Sequence, residues 1–159
     1  MKINIIAVGK IKERYLKEGI AEYSKRLSRY CGLQIIEVAD EPAPENLGAA
    51  QEEQVKSREA SRVLDKVRDG DYLIALDVKG EKKSSEEFAA VLKKCMVSGN
   101  SSITFVIGGS LGLAPEIVRK ADLKLSLSDM TFPHQLTRLI LLEQIYRAFK
   151  IISGEPYHK

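Results

Sequence analysis

Apolar residues fall into short unbroken runs that alternate with longer stretches where they return every three or four positions. The short runs are Lys2 to Val8, Leu33 to Val38, Tyr72 to Val78, Ile103 to Ile107 and Leu125 to Leu127. They are rich in β-branched and aromatic residues and most end at glycine or polar turn formers, so they predict strands. Helical spacing links Tyr15, Leu16, Ile20, Tyr23 and Leu27 within Ile11 to Arg29. Ala49 to Val67 is a charged amphipathic helix with Val55, Val63, Leu64 and Val67 as its sparse apolar side. Ser84 and Glu87 fit a capping box that opens a helix to about Val97, with Phe88, Val91, Leu92 and Cys95 inward. Pro115 to Lys120 predicts a short helix, and Pro133 suits the first turn of a last helix reaching about Ile152. Pro42 and Pro44 exclude regular structure from Asp40 to Asn46, which is therefore a loop.

Strands alternating with helices predict the α/β class: an open, mostly parallel sheet flanked by helices, with right-handed crossovers. The 159 residues suit a single domain, 1–159, and no internal repeat or linker divides them. The last helix carries Leu136, Leu139, Ile140, Leu141, Leu142, Ile145, Tyr146, Phe149, Ile151 and Ile152 on more than one face. Such a helix must be buried nearly all round. In so small a chain that predicts a subunit interface over the surplus.

Hydrophobic residues make up 44% of the chain, which excludes global disorder. A net charge of +3 is weak evidence for nucleic acid, so its distribution decides more. Lys10, Lys12, Arg14, Lys17, Lys25, Arg26 and Arg29 outnumber Glu13, Glu18 and Glu22 around the first helix. That face is either simply solvated or a footprint for phosphates. Cys31 and Cys95 form no metal-type or redox-type pair, which fits a reducing cytoplasm. The amino terminus is too short for a signal-peptide core, and no apolar run reaches membrane-spanning length.

The candidate chemistry gathers between Ile103 and His134. A strand there runs into Gly108-Gly-Ser-Leu-Gly112, and a second runs into the polar turn Ser128-Asp129. In open α/β sheets ligands sit at the carboxyl ends of strands. The glycine turn is neither a Walker A loop nor a dinucleotide fingerprint, so alone it equally describes a tight turn. His134, after a helix-start proline, reads as a structural residue or as a catalytic one. The ending Gly154-Glu-Pro-Tyr-His-Lys159 places an aromatic ring, an imidazole and a cation after a buried helix. Ring stacking with positive charge is what single-stranded RNA recognition uses. No residues cluster as metal ligands, so no metal is expected.

Four segments together resemble the SPOUT methyltransferases, and among them the RlmH family of 23S rRNA pseudouridine N3-methyltransferases. They are Gly108 to Gly112, Leu125-Ser-Leu-Ser-Asp-Met-Thr-Phe-Pro-His134, Tyr146-Arg-Ala-Phe149 and Pro156-Tyr-His-Lys159. The likeness runs from Ala7-Val-Gly-Lys10 to the last residue. It implies a trefoil knot in the carboxyl-terminal part of the sheet, and a cytoplasmic homodimer with the cofactor near the subunit interface. It also implies S-adenosyl-L-methionine bound at Leu76, Gly108, Leu127, Ser128, Asp129, Met130, Thr131 and Phe132. The implied substrate is a pseudouridine in the helix 69 loop of 23S rRNA in the assembled ribosome, methylated at N3 without a metal. That nitrogen is a weakly acidic imide, so a base or a stabilising cation should assist its deprotonation. The candidates are His134, Arg138 one helical turn on, and Tyr157 and His158 in a tail expected to be mobile. Two other classes stay open: a non-catalytic RNA-binding or ribosome-assembly module, and a nucleotide-binding enzyme using the glycine turn for phosphates.

Overall fold

A computed structural model describes residues 1–159 and contains the expected elements in the expected order. They are β1 (Lys2–Val8), α1 (Arg14–Leu27), β2 (Gly32–Val38), α2 (Ala49–Leu64), β3 (Tyr72–Lys82), α3 (Ser85–Val97), β4 (Ser102–Ile107), α4 (Pro115–Lys120), β5 (Leu123–Ser126) and α5 (His134–Ile152). One five-stranded sheet has the order β2-β1-β4-β3-β5, and every pairing is parallel. Ile3, Ile5, Ala7, Ile74, Ile103, Phe105 and Ile107 face the layer that includes α1, α3 and α5. Ile6, Val8, Leu73, Ala75 and Val106 face α2 and α4. Helices on both faces are why these strands read as continuous apolar runs rather than as alternating ones. Phe105 is fully buried at the centre. Phe105→Ala should destabilise the fold by about 3–5 kcal/mol, read as a lower urea midpoint at unchanged slope.

Three elements depart from the periodicity, each because of a long-range partner. Helix α1 begins at Arg14 rather than Ile11, because the Ile11 and Lys12 amides donate to the side chains of Glu37 (3.3 Å) and Gln135 (3.3 Å). Strand β5 begins at Leu123, two residues before the expected start. Asp122 draws it into line with β3: its amide donates to the Leu73 carbonyl and its carboxylate accepts from the Leu73 amide, both at 2.8 Å. Strand β3 runs on to Lys82 through a register shift in which Leu76 and Glu81 both face Leu125. Gly80 allows that approach, since a Cβ there would stand 2.6 Å from the Lys124 carbonyl.

Helix α5 lies against both α1 and α3, and buries Leu141, Leu142, Ile145, Tyr146, Ala148 and Phe149 within the chain. The surplus apolar surface expected of it is therefore much smaller than its composition implied. What stays partly exposed is Leu136, Leu139 and Ile140 in its first half, with Ile151 and Ile152 at its end.

Candidate functional site

The carboxyl ends of β3, β4 and β5 open into a cavity of about 640 Å³, a size ordinary for small-molecule sites. Leu76, Asp77 and Val78 come from β3, and Ile107 from β4 with the glycine turn behind it. Leu125 of β5 and the loop to His134 close the far side, and Thr137 of α5 adds a hydroxyl-bearing side chain. This is the strand-end position where open α/β sheets hold ligands. The glycine turn closes through a bridge between Gly109 and Gly112, and Gly112 has φ of +86°. A Cβ on Gly108 would meet the Gly112 carbonyl carbon and oxygen at 2.9 Å, so only glycine lets the turn fold this tightly.

No lysine or arginine lines the cavity, and Asp77 is its one carboxylate. Anionic phosphates need cations or a helix amino terminus aimed at them. This cavity instead offers apolar walls, bare backbone and a negative charge. Such a lining fits an adenosyl group carrying a sulfonium and an amine, and it argues against the phosphate-binding reading.

Leu76, Gly108, Leu127, Ser128, Met130, Thr131, Phe132 and His134 all line this cavity. Asp129 does not line it; its carboxylate pairs with Lys82 at 2.5 Å. Arg138 is 3% exposed and lies behind the cavity wall, where it donates to Glu37 at 2.6 Å and to the Gly9 carbonyl at 3.3 Å. Tyr157 and His158 also lie away from the lining. The tail packs on α5: the Tyr157 ring stands edge-on to Tyr146 at 4.9 Å, and its hydroxyl donates to Glu143 at 3.2 Å. His158 bridges Glu86 at 2.6 Å and Arg147 at 3.0 Å, and Glu155 pairs with Lys150 at 2.9 Å. The tail expected to be mobile is thus docked. Asp77 and Thr137 were not singled out in the sequence. Asp77 follows Leu76 in an apolar run, and that interruption was the available signal.

Burial holds the His134 imidazole below its ordinary pKa, the Arg138 charge lowers it further, and Asp40 opposes them. His134 is therefore neutral at pH 7 and able to accept a proton. The depressed value also ties it to stability. Its contribution is complete above the unfolded value near 6.5. It is lost as the pH falls through the lower folded value, because the unfolded chain takes up the proton first. An NMR titration of the imidazole should give a midpoint below 6.5; one at or above it would contradict this environment.

The chain matches the family model described as "Predicted SPOUT methyltransferase" over residues 1–158. The chain belongs to the SPOUT methyltransferases, in the RlmH family. It is 67% identical to the ribosomal RNA large subunit methyltransferase H of Acetivibrio thermocellus over 159 residues, all of both chains. The protein of the same name from Carboxydothermus hydrogenoformans is 62% identical, and that from Ruminiclostridium cellulolyticum 60%, each over both full lengths. Among solved structures, a methylase family protein from Haemophilus influenzae Rd KW20 superposes with a TM-score of 0.53 at 14% identity. The match covers 99% of this chain and 70% of that one, and it supports the fold alone. No helix of this SPOUT methyltransferase is long and apolar enough to cross a membrane.

Proposed function

We propose that the chain is a cytoplasmic, S-adenosyl-L-methionine-dependent methyltransferase of large-subunit rRNA, acting on N3 of a pseudouridine in the helix 69 loop of 23S rRNA in assembled ribosomes. The observation that carries the reading is the cation-free cavity at the strand ends, walled by the glycine turn and the loop Leu127 to His134. Relatives named ribosomal RNA large subunit methyltransferase H, identical at more than half of all positions, support the substrate class. Within the cavity S-adenosyl-L-methionine would be held by Leu76, Gly108, Leu127, Ser128, Met130, Thr131 and Phe132, with Asp129 bracing the loop through Lys82. Bound there, it supplies an activated methyl group on a sulfonium.

The chain's own residues prepare the acceptor. His134, neutral and facing the cavity, is placed to take the N3 proton. The basic residues around α1 hold the RNA backbone by charge, which makes binding salt-dependent. Tyr157 and His158 would orient the nucleotide, either across a homodimer or after leaving their docked position. The Tyr157 phenol is held above its ordinary pKa by burial and by Tyr23 and Glu143, so it acts as a hydrogen-bond donor. We further propose that residues 1–159 are one domain and that its carboxyl-terminal part is a trefoil knot. Support for the knot is the non-sequential order β4-β3-β5, after which the chain returns as α5.

The deciding experiment is transfer of labelled methyl groups to ribosomes lacking the modification, followed by nucleoside analysis. Label recovered in N3-methylpseudouridine is the expected result; ribosomes that stay unlabelled would end this reading and favour a non-catalytic RNA-binding module. The half-exposed Leu136, Leu139 and Ile140 form the patch that a homodimer would cover. Sedimentation at micromolar concentration should give twice the chain mass, and a stable monomer would remove the shared site.

A further inference from the structure

The Arg138 guanidinium does not line the strand-end cavity, and burial of its charge opposes folding. Nearly the whole side chain is enclosed, at 3% exposure, and its Nε has no hydrogen-bond partner. Burying a charge and leaving a donor unmet opposes folding, and an apolar residue of similar volume is often as stable or more so. The contacts Arg138 does make all lead to one place. Nη2 reaches the carbonyl of Gly9, the residue after β1. Nη1 reaches Oε2 of Glu37, and the same oxygen accepts the Ile11 amide. One turn back along α5, Gln135 Oε1 accepts the Lys12 amide. The segment Gly9 to Lys12 is thereby tied to the first turn of α5 by side chains from β2 and α5.

Two functional groups meet across this tie. On one side the segment carries Lys10 and Lys12 and leads into Arg14, all exposed. On the other, His134 faces the cavity, and a Cβ on Gly9 would stand 4.0 Å from its Nε2. Glu37 and Arg138 also line a surface groove of about 390 Å³ beside α1, with Lys17 and Ile11. The charged groups around Arg138 are thus Glu37 and Lys17, with His134 one turn away.

We infer that Arg138 and Glu37 are positioning residues, which together clamp the basic segment Gly9–Lys12 to the start of α5 and so set His134 relative to the bound RNA. The inference rests on the cavity and His134 being the methyl-transfer site. Neither residue touches the reacting atoms; both act through His134 and the basic segment. A displacement of about 1 Å in a reacting group can cost on the order of a hundredfold in rate.

Arg138→Lys keeps the charge and loses the fork, while Glu37→Gln keeps the acceptor and loses the charge. Both variants should lower kcat on ribosomes by roughly tenfold or more. Glu37→Gln leaves the buried guanidinium without its counter-charge, so its thermal midpoint should fall. At a temperature where both variants are folded, calorimetric affinity for S-adenosyl-L-methionine should stay within about twofold. Amide exchange at Ile11 and Lys12 should quicken, which reads the clamp without any turnover. The double variant should be no slower than the worse single one, since both changes break one clamp. Unchanged kcat in both single variants would overturn the inference. So would losses of kcat matched by equal losses of cofactor affinity, which would mean general damage to the fold. A wild-type protein that transfers no methyl group would instead overturn the proposed function, and the exchange measurement would still test the clamp.

Discussion

Gly108→Ala is expected to weaken S-adenosyl-L-methionine binding by roughly ten- to a hundredfold while the chain stays folded. The clash is with the turn's own backbone rather than with the ligand. The added Cβ would lie 2.9 Å from the backbone carbon and oxygen of Gly112 and 3.1 Å from Leu113 Cδ2. Backbone cannot swing aside as a long side chain can, so the turn must open. Its Gly109–Gly112 bridge then breaks, and Leu113 shifts in the cavity wall. Overpacking of this kind costs about 1–3 kcal/mol. Charged to the binding-competent turn, that is the stated loss of affinity. The hydrophobic layers on both faces of the sheet are untouched, so circular dichroism should be near normal. Calorimetry is the measurement, and an affinity equal to wild type would remove the glycine turn from the cofactor site.

Deleting Tyr157 to Lys159 is the second large effect: turnover on ribosomes should vanish while cofactor affinity is kept. None of the three residues lines the cavity, so its shape does not depend on them. Their loss frees Glu143, Arg147 and Glu86 from the contacts the tail now makes with them. It also uncovers one edge of Tyr146, for which about 1–3 kcal/mol of stability is a reasonable cost. The protein should still be folded at 25 °C. Single-turnover assays with saturating cofactor separate the two effects. A truncated protein that methylates ribosomes at the normal rate would confine the chemistry to His134 and the cavity loops.

Much of the architecture was legible along the chain because it depends on local patterning. Every strand and helix was present in the periodicity, and the Ser84–Glu87 capping box occurs as read: Ser84 Oγ accepts the Glu87 amide at 3.1 Å, and Glu87 returns the bond to the Ser84 amide at 2.9 Å. Both residues lie within one turn, so no distant partner was needed to foresee it. The family was equally legible, because its motifs are contiguous. The glycine turn and the polar turn Ser128-Asp129 were legible because each follows a strand, where sheets of this class hold ligands; the full stretch Leu127 to Phe132 came from the family resemblance.

What the sequence by itself determined is thus the alternation of elements, the family and the loops that wall the cavity. The first follows from side-chain preferences over a few neighbouring positions, and the other two from motifs that are contiguous in the chain. Only the tertiary structure decided the order β2-β1-β4-β3-β5 and the late start of α1. It alone also withdrew Arg138 from the cavity into a clamp with Glu37, and docked the tail on α5. In each case the deciding partner is far away in sequence: 101 residues separate Arg138 from Glu37, and 123 separate Lys12 from Gln135. A periodic pattern shows which face of an element is apolar, but not which distant polar group waits there. Burying a guanidinium or diverting an amide from a helix depends on that second group, and it is known only once the chain has folded.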